Sequence, residues 1–212
     1  MTITAVKSTH KDSVPPGQRG PAEHQRRQQI LDAANTYFRT YGYTKTTVAD
    51  LANEIGLSPA YIYKFYESKQ AIGEAVVRQL LGSVAAELGE IAASPKPAAT
   101  RLRLVFGAVA RRGVEIMFHD HKAHELAVNA CSEQWQVVRD YQTALLSVIR
   151  NLVAEGRKLG EFERKTPIAE TSQAILYTLK LFSVPLFLEQ NPDDPEDKAE
   201  CVANLVLRSL AP

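Results

Sequence analysis

A small residue, a glycine and a branched apolar residue at fixed offsets constrain this chain more than any other feature. In "LANEIGLSPAYIYKFYESK", residues 51–69, Ala52 is followed four positions on by Gly56 and six beyond that by Ile62. Two steeply crossed helices joined by a short turn need such a set. The small side chain lets the axes approach, the glycine takes a positive φ in the turn, and the branched residue faces the first helix from the second. Leu51, Ile55, Leu57 and Phe65 complete a small core. Thr47 and Asp50 form a capping pair for a helix over 48–55, and Ser58 followed by Pro59 opens the next one. That second helix holds four aromatics: Tyr61, Tyr63, Phe65 and Tyr66. Ile62, Phe65 and Tyr66 share a face and point to the core, whereas Ala60, Tyr61 and Lys64 fall opposite and Tyr63 lies on a flank. Exposed Tyr, Lys and Ala, with Lys69 nearby, suit the major groove of DNA. Rings and methyls meet bases, while ammonium and phenol groups reach base edges or phosphates. The same Tyr61 and Tyr63 would also serve as interface or core residues of an ordinary helical bundle.

The remaining chain has helical spacing, and no segment alternates with period two. A first helix spans 22–41 and stops at Gly42. Further helices are expected over 68–93, 98–118, 120–130, 133–159 (stopped by Gly160), 167–189 (kinked at Pro185) and 195–210, the last with Asp194 as N-cap. Residues 1–22, with Pro, Gly, Ser and Lys but no periodicity, read as a disordered tail. The expected fold is all-α: three helices over 23–67 and a larger helical domain over 68–212.

Charge and composition exclude more than they assign. The net charge of +1 is uninformative, but residues 1–69 carry nine Lys/Arg against six Asp/Glu, the sign expected of a nucleic-acid-binding segment. Cys131 and Cys201 lie far apart without metal-ligand spacing, which suits a reducing cytoplasm; a disulfide between them is the alternative. The first 22 residues show no signal-peptide pattern, and the run "LFSVPLFL" (181–188) is too short to span a bilayer. There is no phosphate-cradling glycine loop, nucleophile motif or paired acid, so neither an enzyme nor a cofactor is expected.

The segment "ILDAANTYFRTYGYTKTTVADLANEIGLSPAYIYKFYESKQAI" resembles the N-terminal domain of the tetracycline-repressor (TetR) family of bacterial transcription regulators. The resemblance covers roughly residues 24–75: an Ala-Ala and Phe helix ending in Gly-Tyr, a Thr-Thr-Val entry to the next helix, and the aromatic run that follows. It implies a helix-turn-helix DNA-binding domain joined to a helical ligand-binding and dimerisation domain. It also implies roles. Thr46 and Thr47 would contact phosphate through hydroxyl or backbone N–H, Tyr63 and Lys69 would anchor phosphates, and Pro59, Ala60, Tyr61 and Lys64 would face bases. Ser58 at the helix start completes the DNA-contact set. Leu57, Ile62, the Lys64-Phe65-Tyr66 order and the large Tyr61 depart from the usual pattern. These changes bear on base preference rather than on the fold.

The same resemblance implies a homodimer through the last two helices, which are apolar on more than one face. A twofold axis would then set two recognition helices on a pseudo-palindromic operator in double-stranded DNA. Full burial in a monomer core is the other way to cover such helices. A small-molecule pocket is expected in the second half, with Phe106, Met117, Phe118, Trp135, Tyr141, Tyr177 and Phe182 as lining or as plain core. Lys180, a cation in an apolar helix, either meets an acidic ligand or reaches water or a carboxylate. In "HDHKAHE" (119–125), which also holds His119, Asp120 with His124 and His121 with Glu125 have the i, i+4 spacing of metal ligands on a helix, but the segment reads rather as a polar turn. No metal is assigned. The expected function is a ligand-responsive dimeric repressor released by a small apolar or amphipathic effector. The alternative is a DNA-binding protein of the same fold controlled by a protein partner.

Overall fold

Each helix is punctuated by the residues that the backbone requires at its ends. The structure, a computed structural model, describes residues 20–118, 121–190 and 193–212, with the side chains of 118 and 121–123 left aside. Most of the expected tail therefore lies outside the described residues, as do His119 and Asp120 and the side chains of Phe118 and His121. Among the described residues there are ten helices and no strand. They are α1 (Pro21–Tyr41), α2 (Val48–Glu54), α3 (Pro59–Ile62), α4 (Lys69–Ala93), α5 (Ala98–Phe118), α6 (His121–Ser132), α7 (Gln136–Leu159), α8 (Ile168–Ser183), α9 (Pro185–Gln190) and α10 (Pro195–Ser209).

The local signals act as expected at most ends. Thr47 caps α2 reciprocally: its hydroxyl accepts the Asp50 N–H at 3.2 Å, and Asp50 accepts the Thr47 N–H at 2.8 Å. Ser58 and Ser68 cap α3 and α4. Gly56 turns with φ +65°, and Gly160 ends α7 in the left-handed region. Three ends differ from expectation. Gln134 takes φ +51° and Trp135 becomes the N-cap, so α7 begins later than 133. Pro185 does more than kink the helix. Val184, ahead of the proline ring, is driven into extended backbone, which separates α8 from α9. Asp194 sits at the start of α10 with φ +46° but makes no side-chain cap.

Two cores result. The first unites α1–α3 with the start of α4 (Ile72, Val76, Val77), the end of α6 (Leu126, Ala130) and Trp135 and Val137 of α7. Trp135 is 1% exposed; its ring packs edge-on to Tyr43, and its indole N–H donates to Glu133 at 2.8 Å. The second core surrounds α5, which packs against α4, α7, α8 and α10. Helix α5 touches α8 so closely that a Cβ at Gly113 would lie 2.1 Å from the Phe182 carbonyl oxygen. The start of α5 is held by Glu161, whose two carboxylate oxygens accept the N–H groups of Ala98 and Ala99, each at 3.0 Å. Buried Arg101 meets Glu155 at 2.5 Å and the Ala92 carbonyl at 2.6 Å.

Candidate nucleic-acid interface and effector cavity

The second helix of the motif is short, and its surface divides by physical chemistry. Helix α3 proper covers four residues, and turn-type hydrogen bonds carry the chain on to Tyr66. Ile62 and Tyr66 are buried, and Phe65 packs partly against the same core. From behind, the Arg27 guanidinium lies over the rings of Tyr66 (5.3 Å) and Phe65 (5.8 Å). The opposite side carries exposed Ser58, Pro59, Ala60, Tyr63 and Lys64, with Tyr61 half-buried. The Lys64 ammonium rests 5.4 Å from the centre of the Tyr61 ring, and that ring meets Phe65 edge-on. This is the division that the helical spacing predicts.

Three residues assigned to phosphate by resemblance have other partners in the structure. Thr46 is 2% exposed; its hydroxyl donates to the Gly42 carbonyl at 2.7 Å and its N–H to the Tyr43 carbonyl at 3.3 Å. Neither donor is left for DNA in this conformation. Lys69 likewise turns inward, placing its ammonium on the carbonyls of Tyr43 (3.1 Å), Thr46 (3.2 Å) and Thr44 (3.4 Å) and over the Tyr43 ring. It ties down the loop that enters α2. Thr47 is exposed, but its N–H and hydroxyl both donate to Asp50, and those two bonds hold the Asp50 carboxyl below its usual range. The exposed cation beside this loop is Lys45, which the motif-based assignment passed over. Its adjacency to the Thr-Thr pair was the available signal.

A cavity of about 210 Å³ lies behind the reading head. Its walls come from α1 (Asn35, Phe38, Arg39) as well as from α4 to α8. Of the residues expected there, Met117, Tyr141 and Lys180 line it. Four others do not. Phe106 and Phe182 are buried in the second core, Trp135 belongs to the first, and Tyr177 is 59% exposed on the outer side of α8. Gln79, Gln142 and Cys131, none of them anticipated, also line the cavity; only knowledge of which helices meet could have selected them. Burial pushes the Tyr141 phenol up to about 12, so the group is a neutral donor near pH 7. Burial likewise raises the Cys131 thiol.

Helix α6 connects the cavity to its surroundings. His124 pairs with Glu189 of α9 at 2.6 Å, and Glu125 accepts the Thr44 N–H at 2.7 Å. No three His, Cys, Asp or Glu side chains are placed to hold a metal among the described residues. Nor is any described helix long and apolar enough to cross a membrane.

Comparison with known proteins agrees with this layout. The chain is 24% identical over 189 residues to the helix-turn-helix transcriptional regulator YhgD of Bacillus subtilis, covering 85% of this chain and 92% of that protein. It is 32% identical over 114 residues to the regulator BetI of Cronobacter sakazakii, about half of each chain (52%). Among solved structures, a TetR-family regulator from Pectobacterium atrosepticum superposes with a TM-score of 0.73 at 17% identity, covering 91% of this chain and 98% of that one. The regulator FadR of Bacillus subtilis, solved in complex with stearoyl-CoA, gives 0.66 at 19% identity, covering 86% and 98%. Likeness at that identity speaks for the fold alone. Residues 30–76 match the family model for bacterial regulatory proteins of the tetR family, and residues 98–206 match the tetracyclin repressor-like C-terminal domain. With the helix-turn-helix in place and more than half of its length matched, the chain belongs to the tetracycline-repressor (TetR) family of bacterial regulatory proteins.

Proposed function

We propose that the protein is a dimeric transcriptional repressor that releases its operator when a small apolar or amphipathic effector enters the cavity behind the reading head. The observation that carries this reading is the shared wall. Asn35, Phe38 and Arg39 belong to the first helix of the DNA-binding unit, yet they border the same space as Met117, Tyr141 and Lys180. An occupant there bears directly on the position of α1 and, through Glu125, on the loop that enters α2. The DNA-facing set is Ser58, Pro59, Ala60, Tyr61, Tyr63 and Lys64, with Lys45 at the phosphate edge. A second copy of the chain covers Tyr177 and Leu181 of α8 and Leu205 of α10, large apolar side chains that are 59%, 45% and 69% exposed.

The test is a fluorescence-anisotropy titration against the DNA upstream of the protein's own coding region, at several salt concentrations and with scrambled competitor. Competitor-resistant, salt-dependent binding to a pseudo-palindrome is expected. Equal binding to both DNAs at every salt concentration would overturn the reading. Effector coupling must be reciprocal: a ligand that weakens operator binding is itself bound more weakly, by the same factor, in the presence of operator.

A further inference from the structure

The cavity's chemistry points to one class of occupant. Among the described residues that line it there is no Asp or Glu, while two lining residues, Arg39 and Lys180, are cations. Most of the remaining wall is aliphatic, including Val76, Leu80, Ile116, Met117, Leu145 and Leu176. A cation in such a wall loses hydration and needs a compensating partner. Lys180 is half-buried, and Leu176, one helical turn before it, lines the same cavity. Among the described residues its ammonium lies 5.2 Å from the centre of the Tyr177 ring. No carboxylate or carbonyl among the described residues pairs with its ammonium. Its place in the last turn of α8 favours a positive charge there but supplies no hydrogen bond to the ammonium.

A second group shares this situation. Tyr141 lines the same cavity, and its hydroxyl has no hydrogen-bond partner among the described residues. Burial keeps it protonated, so it can donate but not repel. The Gln142 amide borders the same space. The Lys180 ammonium and the Tyr141 hydroxyl, neither with an acceptor among the described residues, describe a receptor for an anion, and the aliphatic wall describes a receptor for a hydrocarbon body. Size narrows the choice. At about 210 Å³ the cavity lies below the ~300–1,000 Å³ of drug-sized sites, which suits a compact hydrocarbon body.

Building on the effector-controlled reading, we propose that the cavity takes a small amphipathic carboxylate, its hydrocarbon body among the side chains of α4, α5 and α7 and its carboxylate on the Lys180 ammonium.

The experiment uses the full chain with its upstream DNA and measures both calorimetric binding and operator release. The probes are hexanoate, decanoate and tetradecanoate, then 1-decanol and decylamine as neutral and cationic counterparts, and decanoyl-CoA. A member of the acid series is expected to bind saturably, and decanol and decylamine at least about tenfold more weakly than decanoate. That ratio is the loss of one charge-assisted contact. Lys180→Met should make acid and alcohol equal, while Lys180→Arg keeps the preference; both variants are checked for an unchanged melting profile. The proposal is overturned if no acid binds, if the alcohol matches the acid in the unaltered protein, if Lys180→Met retains the preference, or if only the CoA ester binds. Its failure separates from that of the wider reading. Decanol or decylamine releasing DNA where acids do not would remove the carboxylate assignment and keep ligand control. Acids that bind through Lys180 but leave DNA affinity unchanged would keep the assignment and remove ligand control.

Discussion

The carboxylate of Glu125 on α6 accepts the backbone N–H of Thr44 at 2.7 Å, across 81 residues of chain. From the other side Lys69 of α4 holds the carbonyls of Tyr43, Thr44 and Thr46. The loop that delivers α2 to DNA is thus gripped by opposite charges from two helices, both of which also wall the cavity. A shift of either helix moves the loop with it.

Glu125→Ala should lower stability by about 1 kcal/mol, the scale of one hydrogen bond lost at a partly solvated site. It should also diminish the effect of any effector on operator affinity. Thermal melts and anisotropy titrations with and without effector check both outcomes. Coupling that survives intact in a folded Glu125→Ala variant would remove this contact from the transmission route.

Lys69→Ala and Lys64→Ala should differ in kind. Loss of Lys69 loosens the loop, so the melting temperature falls and all DNA sequences bind more weakly, while the dependence of log K on log salt keeps its slope. Loss of Lys64 should leave stability alone and change sequence preference by ~1–3 kcal/mol if it meets a base edge. A salt slope reduced by about one for Lys69→Ala would return that ammonium to a phosphate.

Ile62→Ala removes a fully buried side chain where α3 crosses α2. A cost of ~2–5 kcal/mol is expected from lost burial and the residual cavity. Operator binding should fail before helicity does, as followed by denaturant melts and anisotropy on the same samples.

Alkaline titration should be biphasic. Burial raises Tyr43 and Tyr141 to about 12, above the ordinary value of 10.0. A raised folded-state value means that the stabilisation is full below the unfolded value. It is lost as pH climbs from about 10 through 12. Ultraviolet absorbance should show the Tyr43 and Tyr141 phenols ionising late, together with unfolding. Tyr141→Phe should remove one late phenol.

Leu205→Glu places a charge on the most exposed large apolar side chain of α10. Sedimentation should then report monomer, and operator affinity should fall steeply because one reading head loses its tethered partner. A dimer that persists would move the interface elsewhere.

What the sequence reveals here is what neighbours along the chain decide. The Thr47–Asp50 cap, the turns at Gly56 and Gly160 and the inward face of Ile62, Phe65 and Tyr66 all depend on contacts within a few residues or on helical period. The family resemblance adds the helix-turn-helix. The rest hangs on which helices meet. Nothing near Lys69 in sequence says that its ammonium will lie against carbonyls about 25 residues back. Trp135 looks like a pocket aromatic until α7 is seen to begin beneath Tyr43. The cavity illustrates the same limit: aromatic character singled out Phe106 and Phe182, whereas helix placement selects Gln79, Gln142 and Cys131.

The seating of Trp135 against Tyr43 bears on how such proteins are recombined. At Gly73 of α4 a Cβ would lie 2.9 Å from the same indole, so the tryptophan fills a notch cut in the reading head by a missing side chain. The head and the notch-filling helix are a matched pair. A chimera that grafts residues 20–93 onto the sensor of a relative keeps the notch filled only where that sensor supplies a ring at the position of Trp135. Where a relative's sensor lacks that ring, exchange of specificity requires the graft to carry the start of α7 along with the residues that read DNA.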